Sequence, residues 1–176
     1  MGFAEAVRTC FRKYIVFSGR ASRPEYWWFV LFLVLGSVVA GLLDNAFFGA
    51  ATVETGPGAV RVESQGPFAT IFSLGTFLPA LAAGWRRMHD TGRSGLFLLY
   101  PLIVMFGITT FVGLVAGFEN LAAGDLTALF SGVTGLIVAL ALLVLFLSPL
   151  LVVWWLTRPS EPGPNQYGPN PHEVTP

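Results

Sequence analysis

Two short polar segments carry most of the side chains in this sequence that could do chemistry. Residues 85–95 read Trp-Arg-Arg-Met-His-Asp-Thr-Gly-Arg-Ser-Gly, and residues 19–28 read Gly-Arg-Ala-Ser-Arg-Pro-Glu-Tyr-Trp-Trp. His89 beside Asp90 is the one pair that could serve as a general base or begin a metal site. A metal centre needs three or four converging ligands. The other histidine, His172, stands in a polar tail, and neighbours on a helix point apart. The arginines fit phosphate better, because a guanidinium fork holds an oxyanion at two points at once. Arg20, Arg23, Arg86, Arg87 and Arg93 are therefore the candidate ligands for a phosphate or lipid headgroup. Glu25, His89, Asp90, Asn165 and Tyr167 would close the same pocket. The same side chains could instead form a structural Arg/Asp/Glu network that locks helices together and binds nothing. Arg86 and Asp90, four apart, are one pair that such a network could use.

The elements that position these residues are set by composition. Of 176 residues, 54% are apolar and only 11% charged, against about a quarter charged in soluble domains. Ten basic residues balance ten acidic ones. Nucleic-acid binding, which needs a basic excess, is thereby excluded. A single cysteine, Cys10, excludes an intrachain disulfide and a cysteine-based zinc site. A bilayer core of about 30 Å is crossed by roughly 20 apolar residues in a helix. Four runs meet or approach that length: 26–48, interrupted only by Asp44, then 68–85, 96–118 and 133–156. The fold class expected is an all-α integral membrane protein with four transmembrane helices.

Before the first span, Phe3, Val7, Cys10, Phe11 and Tyr14 recur at helical spacing, with Arg8, Arg12 and Lys13 on the other side. Residues 1–20 thus read as a short amphipathic helix at the membrane interface. Residues 21–157 form the membrane domain. Residues 158–176 are a Pro/Gly/Asn-rich tail that composition alone would leave disordered. Nine of the ten basic residues precede span one, join spans two and three, or follow span four. Arg61 is the exception, in connections that otherwise carry Asp44, Glu54, Glu63, Glu119 and Asp125. The positive-inside bias predicts both termini and the 86–95 hairpin in the cytoplasm. All five tryptophans fall at that same interface, where an indole is half buried with its N–H wet.

Local signals sharpen the ends. Ser22 with Glu25 makes a capping box for span one, Pro24 sits in its first turn, and Thr91-Gly92 and Ser94 mark a turn and a cap before span three. Pro79, Pro101 and Pro149 are placed to kink spans two, three and four.

Three ordered motifs carry a resemblance. Gly19-Arg20-x-x-Arg23-x-Glu25-Tyr26-Trp27 precedes a span, Arg86-Arg87-x-His89-Asp90-x-Gly92-Arg93-Ser94 joins two, and Gly163-x-Asn165-x-Tyr167-Gly168-Pro169 follows the last. Together they resemble the bacterial inner-membrane family called domain of unknown function 805. The chain departs from compact members by a longer region between 100 and 156. The resemblance implies inner-membrane residence and topology, and no reaction.

Function is then a choice between classes. The span cores lack the ionisable groups that ion-coupled carriers keep there. Small residues at Ser37/Gly41 and Gly113/Gly117 would allow oligomers or a channel. An enzyme of lipid or phosphate chemistry would depend on His89 and Asp90. A non-catalytic membrane protein, without metal or cofactor and contacting lipids, itself or other membrane proteins, fits the features with fewest additions.

Overall fold

The computed structural model describes residues 1–49, 52–53, 62–63 and 66–173. Among them are α1 (Phe3–Arg12), α2 (Arg23–Phe48), α3 (Pro67–Asp90), α4 (Tyr100–Ala116), two short helices, α5 (Phe118–Ala123) and α6 (Leu126–Leu129), and α7 (Gly132–Thr157). The stretches Arg23–Phe48, Pro67–Asp90, Gly95–Ala116 and Gly132–Thr157 are long and apolar enough to span a membrane. Each expected span is present. The second runs five residues further than its apolar stretch, so the Arg86–Asp90 segment is its last helical turn. Glu54 and Arg61, counted above in a connection, lie outside the described residues.

Helix ends follow from local chemistry. Ser22 caps α2, its hydroxyl accepting from the Glu25 N–H at 3.4 Å, with Pro24 in the first turn. Gly92 turns the chain after α3 at φ 74°, and Ser94 accepts from the Leu96 N–H before a 3-10 turn over Gly95–Leu99. That turn alters one expectation. Pro101 opens α4 in its first helical turn, where a missing N–H breaks no bond, so it does not kink the third span. Pro79 and Pro149 do lie inside α3 and α7.

Asp44 plays a part that its position in an apolar run does not announce. It is buried, and its two carboxylate oxygens accept from the Phe68 and Ala69 N–H groups at 2.9 and 2.8 Å. A side chain on α2 thus caps the start of α3, whose own flanking residue is Gly66. A β-carbon on Gly66 would collide with the Asp44 carboxylate. Caps of this kind contribute about 0.5–2 kcal/mol. Asp44→Ala should lower stability by about that amount, read as the thermal unfolding midpoint in detergent, while Asp44→Asn loses less. An unchanged midpoint for the alanine variant would remove the cap from the account.

Packing divides the bundle into two antiparallel hairpins. α2 runs along α3 and α4 along α7, and the two pairs meet mainly at the end that holds the 86–95 hairpin. One buried cluster, Cys10, Phe29 and Ala83, lies where α1 covers α2 and α3. A second, Met88, Val152 and Leu156, joins α3 to α7, and a third, Val112, Leu129 and Val138, lies between α4, α6 and α7. Outward faces stay apolar and open, as lipid contact requires: Leu74, Phe106 and Val133 are each more than two-thirds exposed.

The amphipathic helix α1 is present and packs its apolar side inward, burying Ala6 and Cys10. It slopes along the bundle. The Phe3 ring meets Trp28 at 6.0 Å, and Phe11 meets both Phe29 and Phe32 at 5.8 Å. Trp28 and Phe32 are one turn, about 6 Å, apart on α2. Just beyond α1, the Tyr14 hydroxyl donates to the Gly75 carbonyl at 2.7 Å.

Candidate functional site

The polar segments meet at one end of the bundle. At their centre Asp90, wholly buried, closes α3 and takes two guanidinium groups. Arg20 donates from Nε to one carboxylate oxygen at 2.9 Å, and Arg87 donates to the other, which also accepts from the Ser160 hydroxyl. Arg20 spends its remaining donors on the tail, giving Nη1 to the Gly163 carbonyl at 2.8 Å and Nη2 to the Glu161 carbonyl at 2.6 Å. Arg87 gives Nε to the Leu156 carbonyl at 3.0 Å and Nη2 to the Arg158 carbonyl, so it satisfies the carbonyl end of α7. Such carbonyls have no partner inside their own helix.

The expected Arg86–Asp90 pair does not form. Arg86 turns across to Glu25 on α2 and donates Nη1 to its carboxylate. Helical spacing allowed either partner. The competition went to Arg87, three residues from Asp90, because Asp90 faces the arriving tail and Arg86 faces α2. Only half of the expected capping box forms: Glu25 gives its backbone N–H to Ser22, while its carboxylate is the charge partner of Arg86 between helices.

His89 is held by stacking and by one hydrogen-bond contact. Its ring lies flat on Tyr167, with centroids 3.7 Å apart and planes 3° apart, and Nδ1 sits 3.1 Å from the Gly19 carbonyl. The described residues contain no group of three or more metal-capable side chains. Asn165 donates from its amide to the His89 carbonyl at 3.0 Å and to Glu161 at 2.8 Å, and its own oxygen accepts from the Tyr167 N–H at 2.9 Å.

The tail is thus ordered through Glu173, contrary to what its composition alone suggests. Its glycines and prolines form turns that aim carbonyls at Arg20, and the Glu161 N–H pairs with the Asp90 carbonyl at 2.8 Å. Ser160, Glu161 and Asn170 are participants that sequence reasoning passed over. The available signal was the repeated Gly-Pro-Asn turn chemistry, at 163–165 and 168–170, which orders a backbone locally.

Of the five candidate arginines, the fold gathers three in its interior and leaves two at the rim. Arg20, Arg86 and Arg87 are buried. Arg23 is exposed and gives Nε to the Arg158 carbonyl at 2.8 Å. Arg93 stands apart from the network, donating to the Thr91 carbonyl and lying 5.4 Å over the Trp155 ring, a cation–π contact. Arg158 makes a similar contact with Trp154 at 5.0 Å.

The chain that builds this site has relatives among known sequences. A family model described as "Protein of unknown function (DUF805)" matches residues 14–169. The chain belongs to the DUF805 family. The match begins after α1 and ends one residue beyond Gly168, so it takes in every member of the Asp90 and Arg86 networks named above except Asn170. Among relatives of this DUF805 chain is "Inner membrane protein YhaH" of Escherichia coli strain K12, 38% identical over 96 residues, which cover 54% of this chain and 71% of the relative. "Inner membrane protein YhaI" of the same strain is 34% identical over 97 residues, 54% of this chain and 70% of the relative. No solved structure matches the chain.

Proposed function

We propose that this protein is a non-catalytic scaffold of the bacterial inner membrane, with both termini and the 86–95 hairpin in the cytoplasm. The names of its inner-membrane relatives and the nine basic residues on one side of the spans support that placement. A fusion reporter at the C-terminus that is active only in the periplasm would overturn the orientation.

One observation carries the scaffold reading: the donors of Arg20 and Arg87 are taken up by Asp90, the carbonyl end of α7 and the tail. These two arginines hold the protein to itself. Anionic headgroups are left to the rim, where Arg23, Arg93 and Arg158 stand beside Trp27, Trp154 and Trp155. Each cation at an anionic surface adds about 1 kcal/mol, or about fivefold in affinity. The double variant Arg23→Gln/Arg93→Gln should therefore retain much less co-purified phosphatidylglycerol while unfolding at nearly the wild-type temperature. Undiminished lipid would confine the cluster to a structural role.

A further inference from the structure

The buried network is not balanced. At this end of the bundle the buried guanidinium groups are Arg20, Arg86 and Arg87, and the buried carboxylates are Glu25 and Asp90. Three positive charges face two negative ones. The surplus has a location. Arg20 and Arg87 are fully engaged, but Nε and Nη2 of Arg86 are buried with no hydrogen-bond partner among the described residues. These two atoms share one edge of the guanidinium, the edge that grips an oxyanion with two parallel bonds. The Glu25 carboxylate occupies the opposite side through Nη1.

The cover over this edge is α1. Cys10 packs against Ala83, one turn before Arg86 on α3, and against Phe29, one turn after Glu25 on α2. Its thiol is in weak sulfur contact with the Arg86 guanidinium, and a thiol is too weak an acceptor to stand in for an oxygen there. Arg86 itself is 0% exposed, so no phosphate can reach it while α1 is seated. Apolar packing by Ala6 and Cys10 and the hydrogen bond from Tyr14 to Gly75 hold α1 in place. Arg8 and Arg12 face outward.

We propose that the free edge of Arg86 is a binding site for a monoanionic phosphate oxyanion, and that α1 is the lid that must lift for it to bind. A phosphate group of that charge cancels the surplus and satisfies both orphaned donors. It comes either from a phospholipid headgroup or from free phosphate in solution.

The chain supplies its own reporter, since Cys10 is its single cysteine and lies wholly buried on the inner face of the lid. Burial also pushes its thiol up to about 11, so it reacts slowly while covered. The experiment follows maleimide labelling of Cys10 in the full-length protein, held in a phosphate-free sugar detergent. Inorganic phosphate or short-chain phosphatidylglycerol is then added. A lid open about 1% of the time has room for about a tenfold rise in labelling rate. A rise with inorganic phosphate alone supports the site and names the free ion as sufficient. A rise with phosphatidylglycerol only supports it and names the lipid. Arg86→Lys keeps a charge for Glu25 but loses the fork, and it should abolish the response. A response that survives in Arg86→Lys overturns the proposal, as does labelling indifferent to both additions, in which case water serves the fork. Should Arg86→Lys fail to assemble, saturable broadening of the inorganic phosphate 31P signal by wild-type protein supports the site, and its absence there, together with no lipid response, overturns it.

Discussion

Asp90→Asn is expected to destabilise the protein by about 3–5 kcal/mol, the cost of breaking a buried ion pair from one side. Asp90 has no exposed surface and accepts from Arg20, Arg87 and Ser160. An asparagine is nearly the same shape, so packing is kept and the charge alone changes. Its amide nitrogen would point two N–H groups at a donor, Arg20 on one side or Arg87 and Ser160 on the other. Three buried guanidinium charges would then face Glu25 as the one buried carboxylate left at this end. The tail should loosen as well, because Arg20, which holds Glu161 and Gly163, is itself positioned by Asp90. The measurement pairs the unfolding midpoint in detergent with chymotrypsin cleavage after Tyr167. A midpoint close to wild type with a protected tail would show that the network does not carry this load. The double variant Arg20→Gln/Asp90→Asn tests the coupling: it should be less damaging than the sum of the single variants.

The bundle was readable because its causes are local or compositional. Unbroken apolar runs, Ser22 and Ser94 as caps, and Gly92 as a turn each act within a few residues. Membrane topology then obliges the polar segments to share an end. Pairing within that end was not readable. Asp90 has Arg86 and Arg87 within reach by spacing, and the choice depends on how α2 and the tail approach α3. The same limit applies to Asp44, which caps a helix that begins 23 residues later in the chain. The tail shows the opposite error. Its composition is that of a free end, but its turns present carbonyls where two buried guanidinium groups need them, and that gain offsets the ordering cost. The orphaned edge of Arg86 is legible only in three dimensions, since it is defined by what α1 covers and what Asp90 does not reach.

Arg87→Gln is expected to rival the Asp90 variant in size and to differ from it in what comes apart. Arg87 is buried on α3 and makes three kinds of bond: to Asp90, to the Leu156 carbonyl within α7, and to the Arg158 carbonyl just past its end. It is the buried polar tie between the two hairpins, beside the apolar contact of Met88 with Val152 and Leu156 and the exposed bond from Arg23 to the Arg158 carbonyl. Glutamine is too short to reach all three. The variant would leave one carboxylate oxygen of Asp90 and two helix-end carbonyls short of donors, at about 1–3 kcal/mol for each group left buried. Arg87→Lys restores the charge but has one ammonium in place of a planar fork, so it should recover the Asp90 pair and not the carbonyls. The readout that separates this from general weakening is a cysteine crosslink between Met88→Cys and Val152→Cys in a Cys10→Ser background. Crosslinking should fall sharply in Arg87→Gln, partly in Arg87→Lys, and little in Arg93→Gln, which loses only a cation–π contact with Trp155 of α7. Equal crosslinking in all three would show that apolar contact alone joins α3 to α7 and that the guanidinium merely fills space.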